Sequence, residues 1–173
     1  GGSVQAGGGA RLRGLPQVVQ DSGAPFALYR KTDPHRYEEI AECAQLCNTL
    51  GMSTMVITGG SGEIGSATAS AAAAAGWDVV VNYRTNGERA RALAARIAAE
   101  SGRRAIAVGA DVAVEDEAIA LLETTVVEMG ALDCLVNNAG IAPGYGPFVE
   151  LTVADMEQVW ATNLTGAFVC ARE

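Results

Sequence analysis

From Met55 onward, short runs of β-branched and small apolar residues alternate with longer stretches whose apolar positions recur every three to four residues. Met55 to Thr58, Val79 to Asn82, Ala105 to Val108 and Cys134 to Asn137 read as strands, being short, apolar and bounded by turn-forming residues. Helices are predicted over 63–75, 87–101, 115–129 and from 153 to the end. Gly76, Gly102 and Gly130 follow the first three, where a helix often ends on a left-handed residue. Strands separated by helices of this length run parallel through right-handed crossovers, and strands so continuously apolar belong to a sheet covered on both faces. The expected fold class is α/β, a doubly wound parallel sheet, incomplete in the residues given. Ligand is expected at the carboxyl ends of the strands.

The chain before Met52 has a different texture. Residues 1–32 are rich in Gly, with Pro16 and Pro25 and no sustained period, and read as a poorly ordered leader. Asp33 as N-cap and Pro34 at the first helical position open a helix near 34–50, with Tyr37, Ile40, Ala41, Ala44 and Cys47 on one face and Gly51 to close it. The expected organisation is a leader over 1–51 and one domain over 52–173. The start Gly1-Gly2-Ser3, without Met, suggests a processed, fragmentary or engineered beginning.

Composition narrows the possible partners. A length of 173 residues with 49% hydrophobic content suits one domain with a real core. The net charge of −8 and the lack of a basic stripe argue against nucleic acid. The uncharged stretch Ile64 to Trp77 is short and mostly Ala, Ser and Gly, so no membrane span is expected, and a cytoplasmic address is the default. Cys43, Cys47, Cys134 and Cys170 contain no C-x-x-C pair and have only His35 for company, so they read as reduced structural thiols rather than metal ligands.

The first strand runs into Thr58-Gly59-Gly60-Ser61-Gly62-Glu63-Ile64-Gly65 and then a helix. Gly60, Gly62 and Gly65 satisfy G-x-G-x-x-G in the strand-turn-helix setting that gives the pattern meaning. Glycines permit the tight turn and let backbone approach a pyrophosphate, while the helix N-terminus offers free N–H groups and partial positive charge. A phosphate-gripping P-loop would need Lys followed by Ser or Thr after the last glycine, where Ser66-Ala67 stand. By itself the pattern also fits a ligand-free turn.

A site for NAD usually carries Asp or Glu at the end of the second strand, accepting hydrogen bonds from the ribose. Here Asn82-Tyr83-Arg84 stand instead. A neutral amide followed by arginine removes the charge that would repel a 2′-phosphate and supplies a fork to bind one. NADP(H) is therefore favoured over NAD(H), and the same missing acid argues against a methyltransferase using S-adenosylmethionine. The alternative for Arg84 is a solvated loop residue.

Thr58-Gly59 with Gly65, Asp111-Val112 after the third strand, Asn137-Asn138-Ala139-Gly140 after the fourth, and Thr162-Asn163-Leu164 in the last helix together resemble the short-chain dehydrogenase/reductase family. The resemblance runs from about Met52 to Glu173 and implies a Rossmann-type fold. It implies cofactor contacts from Gly59, Ser61, Gly62, Ile64 and Gly65 in the turn. Asp111 and Val112 would meet the adenine, and Asn138, Ala139 and Gly140 would line the cofactor beneath the nicotinamide ribose. Asn163 matches the family's catalytic asparagine, which helps hold a water in a proton relay. Asn137 and Asn138 can alternatively pair with neighbouring backbone. The turn departs from the family in one place: members with Asn-Asn-Ala-Gly usually carry Gly where Glu63 stands, and its carboxylate near the pyrophosphate is expected to weaken cofactor binding.

The family transfers hydride between nicotinamide and a carbonyl or alcohol, using a serine, a tyrosine acid/base and a lysine four residues after it. Lys31 is the only lysine, and Ala27 lies four residues before it, so no Tyr-x-x-x-Lys occurs in these residues. The expectation is an N-terminal, cofactor-binding portion of an NADP(H)-dependent oxidoreductase acting on a small carbonyl or alcohol, itself catalytically incompetent. The alternative is an NADP(H)-binding module or sensor without turnover. The resemblance further implies a homo-oligomer for the full-length form. Leu135, Trp160 and Phe168 are expected to lack packing partners here, leaving the chain poorly soluble.

Overall fold

The computed structural model describes residues 54–143 and 147–173. The helix expected near 34–50, the rest of the leader, and Gly144 and Tyr145 of the loop after Gly140 lie outside the described residues.

Four parallel strands form one sheet: β1 (Thr54–Ile57), β2 (Asp78–Tyr83), β3 (Ala105–Gly109) and β4 (Cys134–Val136), in the order β3-β2-β1-β4. Val56 pairs with Val80 and Leu135, and Val80 pairs with Ile106, so the register is continuous across all four strands. Helices α1 (Glu63–Ala74), α2 (Gly87–Ser101) and α3 (Glu115–Met129) form the crossovers, as the spacing predicts. Strand alternation divides the core between the two faces. Ile57, Val79 and Val81 pack with Trp77 and with Ala69, Ala72 and Ala73 of α1 and Leu93 and Ile97 of α2. Val56 and Val80 face Leu121, Leu122 and Met129 of α3 and Val169 beyond it. The alanines of α1 have little to bury, so the helix can lie close to the sheet and bring its N-terminus near the end of β1.

The helix ends follow their local chemistry. Gly76, Gly102 and Gly130 adopt φ of +96°, +67° and +87°, the left-handed conformation read from their positions. The Asn86 side chain caps α2 by accepting from Arg89 N. Glu115, Asp116 and Glu117 place negative charge in the first turn of α3, where the helix dipole favours it.

The last helix differs from the continuous one expected from 153 onward. It is divided into α4 (Val153–Trp160), a π-helical turn over Ala161–Thr165, and α5 (Gly166–Arg172). Two long-range contacts account for the wide turn. The Asn163 side chain is bonded to the backbone of Ile141, and Gly166 lies so close to β3's exit that a Cβ there would sit 2.5 Å from the Val112 carbonyl oxygen. Leu135, expected to lack partners, packs against the α3-side core, whereas Trp160 and Phe168 are 54% and 69% exposed.

Candidate functional site

The strand order reverses beside β1, with β2 on one side and β4 on the other, and the loops leaving β1 and β4 meet at that reversal. A crevice at the carboxyl ends of the strands is expected at such a point. Thr58 ties the two loops together. Its hydroxyl accepts from Asn138 N at 2.9 Å and Ala139 N at 3.0 Å and lies 3.3 Å from the Val136 carbonyl, to which it donates.

The glycine turn requires its glycines. Gly59 has φ +61°, and a Cβ there would meet the Ala139 Cα at 2.9 Å. At Gly65 a Cβ would lie 2.5 Å from the Gly59 carbonyl oxygen and 2.7 Å from the Gly60 Cα. Gly62 N donates to the Gly59 carbonyl at 3.0 Å, and Gly62 then starts α1 with no side-chain cap. That leaves backbone N–H groups of the first helical turn available to an anion.

The structure revises the reading of the second strand. Asn82 is 2% exposed, and its amide is used up within the fold. Its Oδ1 accepts from Gly59 N at 3.0 Å, while its Nδ2 donates to the carbonyls of Ala110 at 3.1 Å and Val108 at 3.3 Å. It joins the ends of three strands rather than offering a neutral face to a ribose. Arg84, by contrast, reaches over the crevice with its Nη1 3.8 Å from Asp111 Oδ2. Asp111 is oriented by its neighbours, its Oδ1 accepting from Ala113 N at 3.0 Å and its own N–H donating to Glu117 Oε2 at 2.7 Å.

The result is a cleft of about 220 Å³. Of the residues expected to meet a cofactor, Gly59, Ser61, Gly62, Arg84, Asp111, Val112, Ala139 and Gly140 line it together. Asn82, Thr85, Ala110, Ile141 and Thr162 line it as well and were not among the expected contacts. Three expected residues stand elsewhere. Ile64 is 75% exposed on the first turn of α1, and Gly65 is buried beneath the turn. Asn138 lies behind the turn, its Nδ2 donating to the carbonyls of Thr58 at 2.8 Å and Gly59 at 3.2 Å, which is the backbone pairing weighed as its alternative. Asn137 likewise donates to the Ala167 carbonyl at 3.1 Å.

Asn163 is also committed. Its Oδ1 accepts from Ile141 N and its Nδ2 donates to the Ile141 carbonyl, both at 2.8 Å. The amide thus fixes the loop after β4 against the last helix. Next to it, Thr162 is 4% exposed, and its hydroxyl has no hydrogen-bond partner among the described residues. A buried hydroxyl without a partner is destabilising, so Thr162→Val is expected to raise stability by about 1 kcal/mol. Denaturant unfolding of the two proteins checks this, and an unchanged or lower midpoint counts against it.

Elsewhere the structure offers little chemistry. No group of His, Cys, Asp and Glu suited to a metal occurs among the described residues. Cys170 is buried, and burial pushes its thiol up, away from the reactive thiolate. A hollow of about 270 Å³ between α1 and α2, lined by Ser70, Ala73, Ala74, Ile97, Glu100 and Ser101, lies away from the glycine turn. No described helix is long and apolar enough to cross a membrane.

A doubly wound parallel sheet with a glycine-lined crevice at its switch point is the architecture of a dinucleotide-binding domain. Residues 53–173 match the short chain dehydrogenase family, and the chain belongs to it. A 3-oxoacyl-(acyl-carrier-protein) reductase of Synechocystis sp. is 44% identical over 117 residues, covering 68% of this chain and 47% of the reductase. An L-rhamnose 1-dehydrogenase (NAD(P)(+)) of Sphingomonas sp. is 39% identical over 115 residues, covering 66% of this chain and 44% of that protein. Among solved structures, a short chain dehydrogenase from Burkholderia cenocepacia in complex with NADP superposes with a TM-score of 0.66 at 38% identity, covering 69% of this chain and 48% of that one. A blue fluorescent protein from a metagenomic library, in complex with NADPH, gives a TM-score of 0.65 at 36% identity, with coverage of 69% and 49%. The chain thus spans about half the length of the curated relatives it matches.

Proposed function

We propose that this chain is the NADP(H)-binding portion of an oxidoreductase acting on a small carbonyl or alcohol. The observation that carries the cofactor assignment is Arg84, whose guanidinium stands at the cleft beside the end of β2, where no carboxylate replaces the neutral Asn82 and Tyr83. Its fork suits a 2′-phosphate, with Asp111 holding it across the cleft until the phosphate competes for it. The glycine cradle fits the pyrophosphate, since added Cβ atoms at Gly59, Gly60 and Gly65 would each fall within 3.0 Å of backbone. Ser61 and Gly62 would present the anion to the N–H groups of α1, and Asp111 and Val112 would flank the adenine. Asn138 would act from behind by holding the turn carbonyls, and Ala139 and Gly140 would border the nicotinamide ribose. NADPH, when bound, supplies a hydride for the carbonyl carbon while a proton goes to its oxygen, giving the alcohol. Asn163 would position the Ile141 loop, to whose backbone both ends of its amide are bonded.

These 173 residues contain no Tyr-x-x-x-Lys, so binding without turnover is the behaviour expected of them alone. The exposed stripe of Trp160, Leu164 and Phe168 gives the family's homo-oligomer an apolar surface to use.

Arg84→Ala is expected to weaken NADPH binding by about 10-fold to 100-fold, the loss of a charge-assisted contact, while leaving NADH binding unchanged. Fluorescence titration of both cofactors tests the assignment, and parallel losses for the two would refute it. Glu63 is exposed at the first position of α1; its carbonyl accepts from the Ser66 hydroxyl at 2.9 Å, while its carboxylate pairs with no other described residue. Glu63→Gly is expected to tighten NADPH binding by about twofold to fivefold at low salt, an effect that fades as salt is added. Equal affinities at low salt would sink that idea.

A further inference from the structure

We propose that Tyr83 is a positioning residue for cofactor discrimination. Seated in a slot made by two glycines, its ring fixes the Arg84–Asn86 link so that the Arg84 guanidinium is held at the cleft. The proposal rests on the reading of Arg84 as the 2′-phosphate anchor.

Tyr83 is the last residue of β2 and is paired in register with Gly109 of β3. A Cβ on Gly109 would sit 3.1 Å from both Cζ and the hydroxyl oxygen of Tyr83. On the other side stands Gly87, the first residue of α2, where a Cβ would lie 2.8 Å from the ring's Cε2 and 2.9 Å from Cζ. Arg91, one turn further along α2, donates from Nη1 to the Tyr83 hydroxyl at 3.4 Å. The ring therefore bridges the end of β3 and the start of α2.

Neither glycine is required by the backbone. Among the described glycines only Gly59, Gly76, Gly102 and Gly130 have positive φ. Glycine is also a poor choice locally at both places, because it weakens helices and strands alike. The ring is what explains two absent side chains.

The link between β2 and α2 is anchored at both ends as a result. At one end the Tyr83 carbonyl accepts from Ala110 N at 2.9 Å and the ring fills its slot. At the other, the Asn86 side chain caps α2. Arg84 and Thr85, between these anchors, line the cleft, whereas the Tyr83 ring does not. Tyr83 thus acts through Arg84, reducing the freedom its neighbour would otherwise lose when a phosphate binds.

The test titrates the full chain with NADPH and with NADH by fluorescence, and follows the unfolding midpoint of each variant. Gly87→Ala leaves every cleft-lining side chain in place and favours the helix locally, but it pushes the ring out of its slot. It is expected to lower the NADPH-to-NADH affinity ratio about tenfold without lowering the midpoint. Tyr83→Phe retains the ring and should hold the ratio within about twofold of the parent. On a Tyr83→Ser background, Gly87→Ala should change nothing further, since no ring remains to be displaced. If Gly87→Ala keeps the parent's ratio while Arg84→Ala collapses it, the proposal is overturned and the Arg84 reading stands. If Arg84→Ala also leaves the ratio unchanged, both fall. Should Gly87→Ala fail to fold, Tyr83→Ser carries the comparison: a parental ratio overturns the proposal and a lowered one supports it.

Discussion

Asn82→Asp is expected to destabilise the domain by on the order of 3 kcal/mol or more at neutral pH, and to gain no NADH binding in exchange. The amide nitrogen that donates to the Ala110 and Val108 carbonyls would become an oxygen facing them, in a side chain only 2% exposed. A buried carboxylate facing carbonyls keeps its proton, so its value in the folded state rises above the unfolded value of about 3.9. The penalty relative to the parent is therefore small below about pH 4, grows as pH rises toward the folded-state value, and is constant above it. Unfolding of both proteins at pH 7 and pH 5 checks the sign, and a difference that fails to shrink on acidification contradicts the burial argument. A carboxylate consequently has no room at position 82.

Gly65→Ala should be nearly as damaging to stability and worse for binding. Its new Cβ would press on the Gly59 oxygen at 2.5 Å, the Gly60 Cα at 2.7 Å and the Asn138 Nδ2 at 2.8 Å. Two of those are main-chain atoms of the turn itself, which cannot swing aside as a side chain does. Relief requires the turn to open and α1 to shift away from β1. A loss of about 1–3 kcal/mol in stability is expected, together with a fall of more than about tenfold in NADPH affinity as the N–H cradle loses its shape. Gly62→Ala is the control for the stability loss alone, since its Cβ would meet only the Gly59 oxygen, at 3.3 Å. Comparable losses of stability in the two variants would show that close packing under the turn is not the cause.

Much of this fold is legible because its local signals agree. The apolar strands, the helical periods between them and the glycines after α1, α2 and α3 all depend on residues close in sequence. The broken last helix is different. Ala161-Thr162-Asn163-Leu164-Thr165-Gly166 continues a helical period, and the two contacts that widen it come from Ile141 and Val112, far back in the chain. The glycine turn and Asp111, Ala139 and Gly140 were recognisable as motifs, and they do converge on one cleft. What motif reading could not assign is which polar side chains face outward. Asn82, Asn138 and Asn163 have the composition of ligand-binding residues but are held by backbone groups distant in sequence. Thr58 carried a usable signal, a hydroxyl at the end of an apolar strand, although its partners at Asn138 and Ala139 appear only once β1 and β4 lie side by side.

The hydroxyl of Thr58 and the amide of Asn138 hold the glycine turn from behind, and the amide of Asn82 holds it from the cleft wall. The turn therefore takes its shape from the sheet, and an arriving dinucleotide has little left to organise. Capture of NADPH should then appear as a single kinetic phase whose observed rate climbs linearly with concentration, without the plateau that a slow loop rearrangement imposes.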